Sequence, residues 1–134
     1  MDIPYDELGP MKVLHLYSAK AGLRAVVVVD NIALGPSIGG VRTSRQVTPE
    51  DVTRLARTMT MKNSLAGLSY GGGKSCIIAD PKSSDIEHIL RIFARMIREL
   101  YEYIPGPTSS RKSKQIFRHR KRTSWCLLRR SVRL

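Results

Sequence analysis

Two lysines stand in settings that could do chemistry. Lys74 follows the three glycines Gly71-Gly-Gly73, and Lys62 lies twelve residues before it. Glycine carries no side chain, so a substrate can come close to the backbone beside Lys74, and a lysine held there is partly desolvated. Desolvation disfavours the ammonium form and brings the amine towards the range where it acts as a base at neutral pH. Lys62 falls near the end of an expected helix, beside an apolar seam formed by Met59 and Ala66. There it either snorkels to water or points at an anionic ligand. From this residue alone solvation is the commoner outcome, because most lysines are simply hydrated.

Other chemistries are weaker. Gly71-Gly-Gly-Lys-Ser75 invites comparison with the phosphate loop G-x-x-x-x-G-K-[ST], but the first glycine would have to stand at position 68, which is Leu68. The context is also inverted: a phosphate loop follows a strand and opens a helix, whereas this segment follows a helix and opens a strand. The 2 cysteines, Cys76 and Cys126, offer no disulfide framework and no metal-ligand spacing, and are read as reduced thiols. No run approaches the ~18–20 apolar residues of a membrane helix, and no basic-then-apolar leader opens the chain. These features point to a cytoplasmic protein without a metal and without a membrane partner.

The elements that must position the lysines follow from local pattern. Residues 11–17 read as a strand, and Ser18-Ala-Lys-Ala-Gly22 as a turn. Residues 23–30 form a second strand, making a hairpin. The four valines after Ala25 lack alternation, which predicts a strand covered on both faces. Residues 31–45, with Gly35-Pro36 and Gly39-Gly40, read as a loop. Thr48 is a good N-cap, with Pro49 at the first helical position and Glu50 and Asp51 in the first turn. Val52, Leu55, Ala56, Met59, Asn63 and Ala66 fall at helical spacing, so a helix runs to about Leu65 and Gly67 stops it. Residues 75–79 read as a short buried strand. Ser84 and Glu87 form a second capping box, opening a helix whose Ile86, Ile89, Leu90, Phe93, Ile97 and Leu100 make one apolar stripe. Tyr103-Ile104 begins a further extended piece, ended by Pro105-Gly106-Pro107. Strands alternating with helices predict an α/β domain, a mixed sheet with helices packed on it.

Charge divides the chain in two. The formal net charge is +12, but residues 1–107 hold 13 Lys/Arg and all 11 Asp/Glu, leaving +2. Residues 108–134 hold 10 Lys/Arg and no acid in 27 residues. They lack helical or strand periodicity, and such composition predicts disorder. The expected organisation is a domain at 1–107 and a disordered basic tail at 108–134.

Four motifs in order, Gly35-Pro-Ser-Ile-Gly-Gly-Val-Arg42, Met61-Lys-Asn-Ser-Leu-Ala-Gly67, Gly71-Gly-Gly-Lys74 and Tyr103-Ile-Pro-Gly-Pro107, carry a resemblance. The series resembles the N-terminal substrate-binding and dimerisation domain of the glutamate/leucine/phenylalanine/valine dehydrogenases, over roughly residues 11–107. The resemblance implies oxidative deamination of an L-amino acid to a 2-oxo acid and ammonia, with NAD or NADP as acceptor, and a homo-oligomer. By the same resemblance Lys62 looks like the lysine that binds the substrate carboxylate. Lys74 looks like the catalytic lysine, working through a water at the carbon that changes between amine and imine. Gly39 and Gly40 look like the glycine pair bordering the pocket. Glutamate-specific members typically carry a lysine before that pair, whereas this chain has Ile38. A buried aliphatic group cannot compensate a substrate carboxylate, which favours an aliphatic or aromatic amino acid.

The chain also departs from the family pattern. The resemblance calls for a catalytic aspartate after Tyr103-Ile-Pro-Gly-Pro107, and Thr108 stands there instead. No G-x-G-x-x-G occurs, so a dinucleotide-binding unit is absent from the 134 residues and the chain alone is expected to lack turnover. One account is an interrupted reading frame from about residue 108. The rival is a basic arm with Phe117 and Trp125 interleaved, suited to nucleic acid. A non-catalytic amino-acid-binding module is the remaining alternative.

Overall fold

The structure, a computed structural model, describes residues 3–106. The expectations for the basic tail, Thr108 and Cys126 lie outside the described residues.

The valine run lies at the centre of the fold. It belongs to β2 (Leu23–Asn31), which pairs antiparallel with β1 (Lys12–Ser18), from Lys12 beside Val29 to Ser18 beside Leu23. Gly22 closes the hairpin with φ +63°, a conformation that favours glycine. Val27 and Val29 turn one way, into a core with Phe93, Ile97 and Ile77; Val26 and Val28 turn the other way, against Val52, Ala56 and Cys76. A strand buried on both faces needs no polar alternation, hence the unbroken run.

The remaining elements are β3 (Ser37–Ser44), α1 (Pro49–Leu65), β4 (Gly71–Ile78), α2 (Ile86–Met96) and β5 (Tyr103–Gly106). The sheet order is β1-β2-β4-β3-β5. β4 is antiparallel to β2, and β3 lies parallel to both β4 and β5, so the sheet is mixed, as the alternating pattern implied. The crossover through α1 moves along the sheet from β3 to β4, and that through α2 moves back to β5. Crossovers of one hand running in opposite directions must lie on opposite faces. Accordingly α1 residues pack with Val26 and Val28, and α2 residues with Val27 and Val29.

α1 begins as expected. Thr48 Oγ1 accepts from the Asp51 amide at 3.2 Å, and Asp51 Oδ2 accepts from the Thr48 amide at 3.1 Å. At its other end Gly67 adopts φ +66°.

Four local expectations are corrected. Residues 37–44 are a strand, not loop: the glycines are poor strand formers, but β4 and β5 flank them and supply the pairing. Gly71, Gly72 and Gly73 belong to β4 rather than to a loop before it. Ser84 caps nothing at α2; Asp85 holds the N-cap position without a side-chain bond, its amide donating instead to Ser83 Oγ. α2 also ends at Met96, short of Leu100, which packs against the core from the following turn.

No helix among the described residues is long and apolar enough to cross a membrane.

Candidate active site

Strand alternation sorts the candidate residues by face. On β4, Cys76 packs under α1, and the position of Gly72 is covered by Thr60 of α1. Lys74 lies between them and therefore shares the α1 face. On β3, Arg42 is in register with Cys76 and Ile38 with Gly72, which puts Arg42, Gly40 and Ile38 on the same face. Ile38 is half-buried and is flanked on its other side by Ile104.

The glycines act through close approach. A Cβ on Gly72 would overlap the Thr60 amide and hydroxyl, so α1 can lie flush on β4 only there. A Cβ on Gly39 would overlap the Gly73 carbonyl. The β3–β4 ladder runs through Ile38 and Gly72, then resumes at Val41 and Ser75. Gly39 and Gly40 fill the interruption and pair on their other side with Pro105 and Gly106. The expected glycine pair thus borders Lys74 through its backbone.

Lys62 occupies the last turn of α1 and is exposed. The seam expected beside it is only half present, since Met59 is half-buried and Ala66 is exposed. The helix end is instead fixed by Asn63, which is buried and donates its side-chain amide to Gly71 O at 2.7 Å. In the sequence Asn63 stood out only as one of the residues at helical spacing; its polar type at a position on the inward face was the available signal.

The electrostatics follow from this placement. Burial holds the Lys74 amine below the usual lysine range, and the charges of Arg42 and then Lys62 push it the same way, with Cys76 opposing. Arg42 stood in a recognised motif, yet no local signal tied it to Lys74; strand register does. Burial raises the Cys76 thiol, so it stays protonated at neutral pH. The arrangement offers a half-buried amine among cations, set against glycine backbone and one aliphatic side chain. It can attract a carboxylate and accept a proton. Among the described residues no group of three or more His, Cys, Asp or Glu could hold a metal ion.

Fold and site together define a small α/β domain that presents basic side chains over a glycine-lined strand. The family profile described as Glu/Leu/Phe/Val dehydrogenase, dimerisation domain, matches residues 11–121, and the chain belongs to that family. The match runs beyond Pro107, the boundary expected from composition. Among curated relatives, leucine dehydrogenase of Geobacillus stearothermophilus is 42% identical over 93 residues, 66% of this chain and 25% of the relative. Valine dehydrogenase of Streptomyces virginiae is 39% identical over 99 residues, 71% of this chain and 28% of the relative. The chain thus spans about a quarter of the length of these relatives. Among solved structures, L-tryptophan dehydrogenase from Nostoc punctiforme superposes with a TM-score of 0.74 at 29% identity, covering 83% of this chain and 36% of that one. The hetero-hexameric glutamate dehydrogenase from Thermus thermophilus (Leu bound form) gives 0.71 at 27% identity, covering 81% and 30%.

Proposed function

We propose that these residues form the amino-acid site of an NAD- or NADP-dependent dehydrogenase, with Lys62 binding the substrate carboxylate and Lys74 acting as the base. The observation that carries this reading is the setting of Lys74, half-buried beside a glycine-lined strand with Arg42 and Lys62 as its charged neighbours. An amino acid at neutral pH brings a carboxylate and an ammonium. The cations attract the first, and a lysine that releases its own proton readily is available as the free amine, which can take a proton from the second at Nζ through a water. Gly39 and Gly40 let the substrate backbone approach, and Ile38 lines the side-chain pocket.

An aliphatic or aromatic side chain is favoured over glutamate, because Ile38 offers no partner for a second carboxylate. The leucine and valine dehydrogenases among the relatives support this preference. When bound, a nicotinamide dinucleotide would supply the hydride acceptor, and hydrolysis of the resulting imino acid by water would give the 2-oxo acid and ammonia. The described residues offer no place for that group: no strand among them leads through a G-x-G-x-x-G turn into a helix. The 134 residues alone are therefore proposed to bind amino acid without turnover.

Assembly with further copies is also proposed, supported by a family profile described as a dimerisation domain. The proposed setting is the cytoplasm, where free amino acids and dinucleotides occur together.

The test is thermal stabilisation by L-leucine, L-phenylalanine and L-glutamate, for wild type, Lys62→Ala and Ile38→Lys. Wild type should be stabilised by leucine or phenylalanine more than by glutamate, Lys62→Ala by none, and Ile38→Lys should gain glutamate. Wild type indifferent to all three would end the reading.

A further inference from the structure

Tyr103 is the largest fully buried side chain among the described residues, and its polar end lies inside the sheet. Its Oη is 3.0 Å from Gly39 O and 2.9 Å from Ser75 Oγ. A phenol has one proton and a carbonyl can only accept, so Tyr103 donates to Gly39. Ser75 must then donate to Tyr103. The result is a directed chain, Ser75 to Tyr103 to Gly39, linking β4, β5 and β3.

Its position bears on the site. Gly39 lies where the β3–β4 ladder is interrupted, and the Tyr103 hydroxyl supplies a donor to its carbonyl. A Cβ on Gly73 would come within 2.9 Å of the Tyr103 ring, so the ring lies against that glycine. Gly73 and Ser75 are the two neighbours of Lys74 in sequence. Tyr103 therefore grips both of them from the face opposite the Lys74 side chain.

We propose that Tyr103 is a positioning residue for the amino-acid site, its hydroxyl holding the Gly39–Gly40 backbone against β4 and so fixing how deeply Lys74 is set. The ligand named here rests on the function proposed above; the positioning does not. Removing the hydroxyl while keeping the ring takes one donor from the Gly39 carbonyl and leaves the buried Ser75 hydroxyl without its Tyr103 partner, and water entering to replace those bonds loosens the strand beneath Lys74. A better hydrated amine holds its proton more firmly.

The experiment is an NMR titration of the 134-residue chain with labelled lysine side chains, Lys74 being assigned by Lys74→Arg. Wild type is compared with Tyr103→Phe, Ser75→Ala and a control, Thr53→Val. Thr53 is buried too, and its hydroxyl donates to Pro49 O at 2.9 Å in the first turn of α1, away from the ladder interruption. Tyr103→Phe should raise the Lys74 titration and weaken L-leucine binding about tenfold, the size of one lost buried hydrogen bond. Ser75→Ala should do the same to a smaller extent, because Tyr103 keeps its bond to Gly39. Thr53→Val should lower the melting temperature and leave Lys74 unmoved. If Tyr103→Phe lowers the melting temperature yet leaves the Lys74 titration at its wild-type position, Tyr103 is packing only and the proposal is overturned. Should Tyr103→Phe not fold, an unmoved Lys74 in Ser75→Ala overturns it equally. Failure of wild type to bind leucine would end the functional reading, while the titration would still decide the role of Tyr103.

Discussion

At Lys74 two requirements conflict. A base must hold its proton weakly, which burial and neighbouring cations provide, but a cation under those conditions strains the fold that houses it. Below its lowered value Lys74 is charged in both folded and unfolded chains, and the folded one bears the desolvation. Between that value and the ordinary lysine range the folded chain has already released the proton and the unfolded chain has not, so stability rises with pH across that window. Lys74→Met keeps the length and removes the charge. It should stabilise the domain at neutral pH by about 1 kcal/mol or less, flatten that rise, and abolish amino-acid-dependent stabilisation. Denaturant titrations at neutral and alkaline pH check all three; a variant less stable at neutral pH would mean that the ammonium has a partner that favours its charge.

At the scale of elements, the junction of α1 with β4 sets the site. α1 reaches β4 because Gly72 has no side chain, and it is held there at two neighbouring points. Asn63 donates to Gly71 O, and Thr60 Oγ1 donates to the buried Asp30 at 2.6 Å. Gly72→Ala forces a methyl into the Thr60 backbone, which cannot give way as a flexible side chain could. The expected loss is about 1–3 kcal/mol, the range for overpacking a tight core. Lys62, carried on the same helix, should move away from Lys74. Equilibrium unfolding and the Lys74 titration together test this; a neutral Gly72→Ala would show that the helix does not lie as close as described.

At the scale of the whole molecule, Arg57 ties the N-terminal segment to the domain, alongside the Asn31 side-chain amide, which donates to Leu8 O at 2.8 Å. Arg57 donates from Nε to Asp30 at 2.8 Å, and through Nη1 and Nη2 to both carboxylate oxygens of Asp6, at 2.7 and 2.8 Å. The guanidinium, and then the Leu8 amide, bring the Asp6 carboxyl down to about 2. The stability contributed by this ion pair is therefore complete above the ordinary carboxylate range and is lost as pH falls through about 2. Amide shifts of residues 6–9 should follow that titration, and in Arg57→Gln the titration should move up towards the ordinary carboxylate range, the Leu8 and Gly9 amides still holding it below that range. Assembly offers a second test at this scale. If copies associate through the folded domain, the melting temperature rises with protein concentration, whereas a monomer's does not.

Much of this was legible in local pattern. Thr48 and Pro49 announced the start of α1 and Gly67 its end, because caps are written in adjacent residues. The valine run announced a doubly covered strand, and the stripe from Ile86 announced α2. Lys74 stood out by its three glycines, and the order of four motifs carried the family. The strand character of residues 37–44 was not legible, since Gly39 and Gly40 disfavour a strand and acquire one only between β4 and β5. Neither was the capping of α2, where Ser83 rather than Ser84 bonds the Asp85 amide. The placing of Arg42 beside Lys74, the bond from Tyr103 to Gly39 and the Asp6–Arg57–Asp30 link also came from the fold. Caps and periodicity are set by residues a few positions apart, so sequence records them directly. Parallel pairing, close backbone approach and the neighbours of a buried polar atom join residues as distant as 39 and 103, and exist only once the chain has brought them together.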